Sequence, residues 1–193
     1  MSTDFSRRNF VLLSTGALAV AGAGAYAFLT RTSKTDGRIV LAGSTTSAPL
    51  QVPGFDELSD DQWQALTRSD WKERLPRDAF EVLRLEDTER AFTSPLNNEK
   101  RDGWYACAGC GQVLFSSDKK FDSGTGWPSF FDVVPGRIET KADNLLWYTR
   151  TEYHCSRCKG HQGHVFDDGP RPTRQRWCNN GVALTFTPRS ELA

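Results

Sequence analysis

The stretch Cys155–His164, with the sequence CSRCKGHQGH, decides how this chain folds, because it joins a Cys-x-x-Cys pair to two of the three histidines. A second Cys-x-x-Cys pair lies upstream at Cys107 and Cys110, and the fifth cysteine, Cys178, follows downstream without a partner. The cysteines therefore divide into two pairs and one single thiol. This division predicts a metal site that holds the fold and a separate thiol that is free for chemistry.

The two pairs have the spacing of a structural zinc site. Each pair lets two thiolates reach one tetrahedral ion from a tight turn, and neighbouring glycines make such turns easy to form. Four thiolates close the coordination shell, so we expect one structural Zn²⁺ per chain that clamps two distant segments together. Spacing alone leaves two disulfides, an iron–sulfur cluster or a thioredoxin-type dithiol as alternatives. The predicted ligands are Cys107, Cys110, Cys155 and Cys158.

Cys178 is the remaining thiol, and its neighbours are polar. Arg176 lies two residues before it and shares its face of an extended segment, where a cation would lower the pKa of the thiol and increase the thiolate fraction. Asn179 and Asn180 follow directly. A buried structural role is the commoner one for a single cysteine, and local sequence leaves the nucleophilic and structural roles open.

The balance of charges and the N-terminal sequence limit the possible functions and locations of this protein. The 24 basic and 24 acidic residues balance, so no nucleic-acid surface is indicated. Residues 6–12 (SRRNFVL) form a twin-arginine pattern, and the stretch that follows carries no charge until Arg31. Residues 1–30 are therefore predicted to be a targeting segment for a periplasmic or other extracytoplasmic protein that is exported already folded. Cleavage is favoured over retention as a membrane anchor, which about 20 apolar residues could also provide.

The rest of the chain divides into a linker and one domain. Residues 31–58 are polar and contain turn-forming residues, which predicts a flexible linker. The domain, residues 59–193, begins with predicted short helices: a capping box at Ser59–Gln62, a second start at Ser69 and a third segment after Pro76.

Strand and turn patterns dominate after Trp104. The runs 145–149 (LLWYT) and 182–186 (VALTF) favour β-structure, and Gly, Asp and Pro break the chain between short extended pieces. No βαβ spacing is visible. The predicted fold is therefore mainly β with an N-terminal helical arm.

Several ordered motifs resemble one known family. Residues 120–130 (KFDSGTGWPSF), 155–170 (CSRCKGHQGHVFDDGP) and 176–186 (RWCNNGVALTF) closely resemble the methionine-R-sulfoxide reductases, the MsrB family. The arm 71–92 (WKERLPRDAFEVLRLEDTERAF) is similar to the N-terminal region of that family. The resemblance implies a β-tent of two antiparallel sheets, with the reactive cysteine on a central strand and the structural zinc away from it.

The resemblance also implies a reaction. The Cys178 thiolate would attack the sulfur of the R-epimer of methionine sulfoxide, mainly in proteins, release methionine and leave a sulfenic acid. By motif, His161 and His164 would polarise and protonate the sulfoxide oxygen, and Trp127 would form an apolar wall. Without the resemblance, Trp127 would be assigned to the core. The residues that match orienting positions are Asp168, Asn180 and Arg176.

The chain departs from the family pattern at three positions. Thr125 stands where many members have a resolving cysteine, and no sixth cysteine exists. We therefore expect a one-cysteine enzyme whose sulfenic acid is reduced by an external thioredoxin-like or other dithiol reductant. Asn179 replaces an apolar residue after the nucleophile, and Gln162 replaces a leucine between the histidines.

Two other functions remain open from the residues. A zinc-stabilised exported binding module needs the paired cysteines and no nucleophile, and an exported disulfide oxidoreductase would hold no zinc. The resemblance favours a peptide-methionine (R)-S-oxide reductase for protein repair under oxidative stress. We expect a monomer that acts on oxidised proteins, binds no nucleic acid and meets a membrane only through an uncleaved N-terminal segment.

Overall fold

The computed structural model describes residues 51–144 and 148–191. The predicted targeting segment, most of the predicted linker and residues 145–147 of the predicted β-run lie outside these ranges. Packing begins before residue 59, since Val52 is buried and its N–H donates to the carbonyl of Gly111 at 2.9 Å. Of the helices in the described ranges, none has the length and apolar character that crossing a bilayer requires.

Three short helices open the domain: α1 (Asp60–Ala65), α2 (Arg68–Arg74) and α3 (Arg77–Leu85). The predicted capping box at the start of α1 is confirmed, because Ser59 and Gln62 exchange hydrogen bonds between side chain and backbone. The predicted start of α2 at Ser69 is wrong. A second capping box, formed by Thr67 and Asp70, begins that helix at Arg68.

Aromatic and cation–π contacts pack the helices against one another and against the second Cys-x-x-Cys turn. Trp63 of α1 stacks on Trp71 of α2 with ring centroids 5.8 Å apart. The guanidinium of Arg84 in α3 lies 3.5 Å from the centre of the Trp71 ring, and its Nη1 donates to the carbonyl of Cys158 at 2.8 Å. The helical arm therefore covers the second Cys-x-x-Cys turn.

The strands of the described residues form two antiparallel sheets, which confirms the predicted fold class. They are β1 (Gly103–Cys107), β2 (Val113–Ser116), β3 (Lys120–Phe121), β4 (Ser129–Phe130), β5 (Ile138–Asp143), β6 (Arg150–Cys155), β7 (His161–Phe166), β8 (Arg176–Asn179) and β9 (Leu184–Pro188). The smaller sheet has the order β2-β1-β9, and the larger has the order β3-β4-β8-β7-β6-β5.

The predicted run 182–186 is a strand only from Leu184 onward. Gly181–Ala183 form a 3-10 turn that leads from β8 in the large sheet to β9 in the small one. The carboxylate of Glu89 accepts the backbone N–H groups of Gly181 and Val182. Those donors are therefore satisfied without a partner strand, which accounts for the turn.

Aromatic side chains between the sheets form the core behind β8. Phe115 of β2 stacks on Phe130 of β4 at 4.1 Å, and Tyr153 of β6 meets Phe115 edge-on at 6.3 Å. All three are fully buried. Because Phe130 pairs with Trp177 across β4 and β8, this packing fixes the strand that carries Cys178.

Candidate active site

Cys178 lies on β8, between β4 and β7 and inside the large sheet. Its cross-strand neighbours are Ser129 on β4 and His164 on β7. Side chains alternate along a strand, so Trp177 and Asn179 face the core and are buried, whereas Cys178 is only partly buried. The single thiol therefore lies on an interior strand with its side chain away from the core.

A cavity of about 140 Å³ opens beside Cys178. Four residues predicted from sequence line it: Cys178, His164, Asn180 and Trp127. Phe166 and Arg150, which the sequence did not single out, line it as well. The cavity therefore has aromatic walls and polar groups next to a thiol, whereas the predicted residues His161, Asp168 and Arg176 do not line it.

Two opposing effects act on the Cys178 thiol. Burial is the larger and raises its pKa, while the charge of Arg176 and hydrogen bonds from Thr125 and Arg176 lower it. The pKa of Cys178 is raised overall. The predicted effect of Arg176 is thus present but outweighed, so the neutral thiol predominates at neutral pH.

Asp168 holds Arg176 in place beside the Cys178 thiol. The Nε and Nη2 atoms of Arg176 donate to the two carboxylate oxygens of Asp168 at 2.8 and 2.9 Å, and the guanidinium lies 4.3 Å from the centre of the Phe166 ring. Hydrogen bonding to Arg176 lowers the pKa of Asp168, which therefore stays ionised at neutral pH. Asp168 thus acts on the cavity through Arg176.

His164 presents a neutral ring to the cavity. Its Nε2 lies 2.8 Å from a carboxylate oxygen of Asp143, which also accepts two hydrogen bonds from Arg150. An ionised carboxylate can only accept, so Nε2 carries the proton and Nδ1 keeps its lone pair. Burial lowers the pKa of His164 more than Asp143 raises it. Neutral thiol and neutral imidazole are therefore the resting forms.

His161 lies behind His164 and is buried. Residues three apart on a regular strand face opposite sides, but a bulge in the pairing of β6 with β7 interrupts that alternation, and the two histidine rings lie 5.7 Å apart. His161 Nδ1 lies 2.9 Å from Glu152, and Nε2 is buried without a hydrogen-bond partner among the described residues. Of the two predicted histidines, only His164 reaches the cavity.

The backbone of Glu89, a residue that the sequence did not single out, holds two of the predicted residues. The indole N–H of Trp127 donates to the Glu89 carbonyl at 2.9 Å, and the Glu89 N–H donates to the Asn180 side-chain oxygen at 2.9 Å. Trp127 is half-buried, whereas Pro128 and Phe130 are fully buried. Trp127 therefore belongs to the cavity wall rather than to the core. Only the resemblance of the segment 71–92 pointed to the Glu89 loop.

Thr125 lies within hydrogen-bonding reach of Cys178, and this contact contributes to lowering the pKa of the thiol. Its hydroxyl lies 2.8 Å from that of Ser123, which lies 2.8 Å from that of Ser129. Thr125, noted in the sequence as replacing a resolving cysteine, therefore faces the Cys178 thiol with a hydroxyl.

The other four cysteines form one buried cluster, with all sulfurs within 4.8 Å of one another. The Sγ atoms of Cys107 and Cys158 are 3.6 Å apart, as are those of Cys110 and Cys155. A tetrahedral zinc ion with Zn–S bonds of about 2.3 Å needs sulfur separations of about 3.8 Å. A disulfide needs about 2.05 Å. The cluster therefore fits a metal ion rather than two disulfides.

The chain matches known proteins over the region that contains both sites. The SelR domain family matches residues 75–188. Over 126 residues the chain is 51% identical to the peptide methionine sulfoxide reductase MsrB of Methanosarcina mazei, covering 65% of this chain and 90% of the relative. Over 143 residues it is 42% identical to the chloroplastic peptide methionine sulfoxide reductase B1 of Arabidopsis thaliana, covering 74% of this chain and 70% of the relative.

Proposed function

Because the chain belongs to the SelR family and is a peptide methionine-R-sulfoxide reductase, we propose that Cys178 is its nucleophile. The observation that carries this assignment is the cavity in which the partly buried Cys178 thiol meets His164, Trp127 and Asn180. The other four cysteines are gathered in the buried cluster, so Cys178 is the cysteine that is free to attack a substrate. The family match favours this reductase over a binding module or a disulfide oxidoreductase.

The resting protonation states support a proton relay through His164. We propose that Nδ1 of His164 takes the Cys178 proton while the sulfur attacks the substrate sulfur, and returns it to the sulfoxide oxygen. In the net reaction the oxygen moves from the substrate to Cys178. The cysteine sulfur is oxidised by two electrons to a sulfenic acid, the substrate sulfur is reduced by two electrons to methionine, and no further proton is needed.

The two kinds of cavity wall suit the two groups on the substrate sulfur. Trp127 and Phe166 offer aromatic surface to the S-methyl group, because thioethers and methyl groups pack well against rings. His164 and Asn180 offer polar groups on the oxygen side. An S-epimer would exchange these two groups and direct its oxygen at an aromatic wall, which accounts for selectivity for the R-epimer.

The four clustered cysteines hold a structural zinc ion in this proposal. Zn²⁺ bound there would cross-link the β1–β2 turn to the β6–β7 turn and take no part in the reaction, because four thiolates leave no open position. The cluster geometry and the amide donors beside its sulfurs support this assignment.

The absence of a resolving cysteine supports regeneration by an external thiol. Thr125 cannot form a disulfide, so we propose that a thioredoxin-like or other dithiol reductant attacks the Cys178 sulfenic acid directly. We also propose that residues 59–193 are the catalytic domain of a monomeric enzyme. The twin-arginine pattern in residues 6–12 supports export of this enzyme to an extracytoplasmic compartment.

A single-turnover experiment tests the catalytic assignment. Excess R-sulfoxide peptide without reductant should yield one equivalent of methionine and one sulfenic acid that dimedone traps at Cys178, whereas the S-epimer should yield neither. Cys178→Ser should abolish the reaction and leave the zinc content unchanged. Retained activity in that variant would refute the role of Cys178.

A further inference from the structure

Gln162 and Asn179 meet in the core between the metal cluster and the cavity. Both side chains are fully buried, with 0% exposure. Gln162 Nε2 donates to the Cys107 sulfur at 3.3 Å. Asn179 Nδ2 donates to Gln162 Oε1 at 3.3 Å and to the Tyr153 hydroxyl at 2.9 Å. Two amides therefore form a continuous chain from a cluster sulfur to the strand of the reactive thiol, which we call the amide bridge.

The amide bridge has a fixed direction. A metal-bound thiolate only accepts hydrogen bonds, so the Gln162 nitrogen must face Cys107 and its oxygen must face Asn179. That oxygen can only accept a hydrogen bond, so the Asn179 side chain must turn its nitrogen toward it. Each amide would be costly to bury alone, because an unpaired buried polar group loses its hydration without compensation. The two residues that depart from the expected apolar pattern are therefore each other's partners.

The far end of the amide bridge is anchored beside the nucleophile. Asn179 follows Cys178 on β8, and its backbone N–H donates to the Pro128 carbonyl at 2.9 Å, next to Trp127. The ring of Tyr153 packs edge-on against Trp177, the residue on the other side of Cys178, with centroids 5.0 Å apart. A shift of the Gln162 side chain therefore disturbs Trp177 and Asn179, the residues on either side of Cys178.

We propose that Gln162 and Asn179 are positioning residues that couple the metal cluster to Cys178, a proposal that rests on the zinc site and on the nucleophile assigned above. Bound metal fixes the Cys107 sulfur, which orients Gln162 and through Asn179 holds β8. Coupling between two sites is reciprocal, so disturbing the Asn179 end loosens the metal. Cys178 in the folded protein thus senses whether the cluster is loaded.

The test uses near-isosteric variants of the full chain loaded with zinc: Gln162→Met, Asn179→Leu and the double variant. The first measurement is the rate of zinc release to an excess of EDTA, followed with a chromogenic indicator. Gln162→Met should speed release about tenfold, the usual effect of losing a hydrogen bond to a metal ligand. Asn179→Leu should also speed release although it touches no ligand. The double variant should exceed the larger single effect by little, because both changes break one bridge.

Gln112 provides a matched control. Its amide donates to the Cys155 sulfur at 3.4 Å, but its other contacts are the Arg137 carbonyl and the Ser156 hydroxyl, away from β8. Gln112→Met should therefore speed zinc release and leave the rate of Cys178 alkylation by iodoacetamide unchanged. Gln162→Met should change both rates. Cys178→Ser gives the background from the cluster thiols.

Several outcomes overturn the proposal. Asn179→Leu with wild-type zinc release, or single effects that multiply in the double variant, would show that no bridge transmits the disturbance. If a single variant does not fold, the double variant decides, since it keeps the volume and removes both amides, so that the Tyr153 hydroxyl and the Cys107 sulfur are the groups that lose a partner. Wild-type zinc release and wild-type alkylation in the double variant would then refute coupling. Failure of the underlying assignments looks different: the wild type would bind no zinc, or Cys178→Ser would stay active.

Discussion

Replacing Arg176 by glutamine removes a charge that favours the Cys178 thiolate. Arg176 lies two residues before the thiol, hydrogen-bonds to it and is held by both oxygens of Asp168. Glutamine keeps hydrogen-bonding capacity but carries no charge. Because burial already raises the pKa of Cys178, removing the cation should raise it further, and the thiolate should form only at higher pH.

The magnitude follows from Coulomb's law. A unit charge about 4 Å away contributes about 4 kcal/mol at an effective dielectric constant of about 20. The negative charge of Asp168 cancels part of this, which leaves about 1.4 to 2.7 kcal/mol. That corresponds to a thiolate fraction about 10- to 100-fold smaller at pH 8. Alkylation of Cys178 by iodoacetamide reports this fraction, because the thiolate is the reactive form.

The expected result is a pH profile of alkylation displaced toward higher pH, with the variant and wild-type rates approaching one another in strong base. Arg176→Lys is the control, since it keeps the charge but loses the two-pronged contact with Asp168, and it should retain most of the wild-type rate at pH 8. A profile for Arg176→Gln that superimposes on the wild type would show that the cation has no part in activating Cys178.

Three further changes have outcomes that the structure specifies. Thr125→Cys should supply the missing resolving thiol, so substrate without reductant should give a disulfide between the introduced thiol and Cys178, detected by mass spectrometry; a persistent sulfenic acid would show that the two side chains cannot meet. Glu89→Gln weakens two charge-assisted hydrogen bonds to the 3-10 turn and should lower the free energy of unfolding by about 1.5 to 3 kcal/mol in urea titration; unchanged stability would contradict the role of Glu89 as the anchor of that turn. Cys155→Ser should release zinc and unfold the domain, as circular dichroism would detect, whereas a folded, active variant would argue against a structural metal.

Local patterns in the sequence predicted the features that depend on neighbouring residues. The capping box at Ser59 and the two Cys-x-x-Cys pairs are recognisable because each depends on a short spacing. The start of α2 was misplaced because Thr67 and Ser69 are both good caps, and only the partner carboxylate of Asp70 selects between them.

Features that depend on tertiary contacts could not be predicted from local sequence patterns. The bulge that brings the rings of His161 and His164 within 5.7 Å of one another arises from pairing with β6. The net pKa shift of Cys178 depends on burial by residues remote in sequence. Glu89 lies more than 30 residues from Trp127 and about 90 from Asn180. The sequence around Glu89 therefore does not indicate its contacts with them. The Gln162–Asn179 pairing likewise appears only once β7 and β8 lie side by side.

The stack of Arg84 on Trp71 determines where this chain can be cut. The segment that matches the SelR family begins at residue 75, after both Trp63 and Trp71. A protein trimmed to that segment would lose the Trp71 ring that covers the Arg84 guanidinium, leaving the arginine that binds the Cys158 carbonyl without its support. We therefore expect an independently folding piece to include α2, together with α1, whose Trp63 stacks on Trp71. Expression boundaries for this enzyme should follow the aromatic stack rather than the limits of sequence similarity.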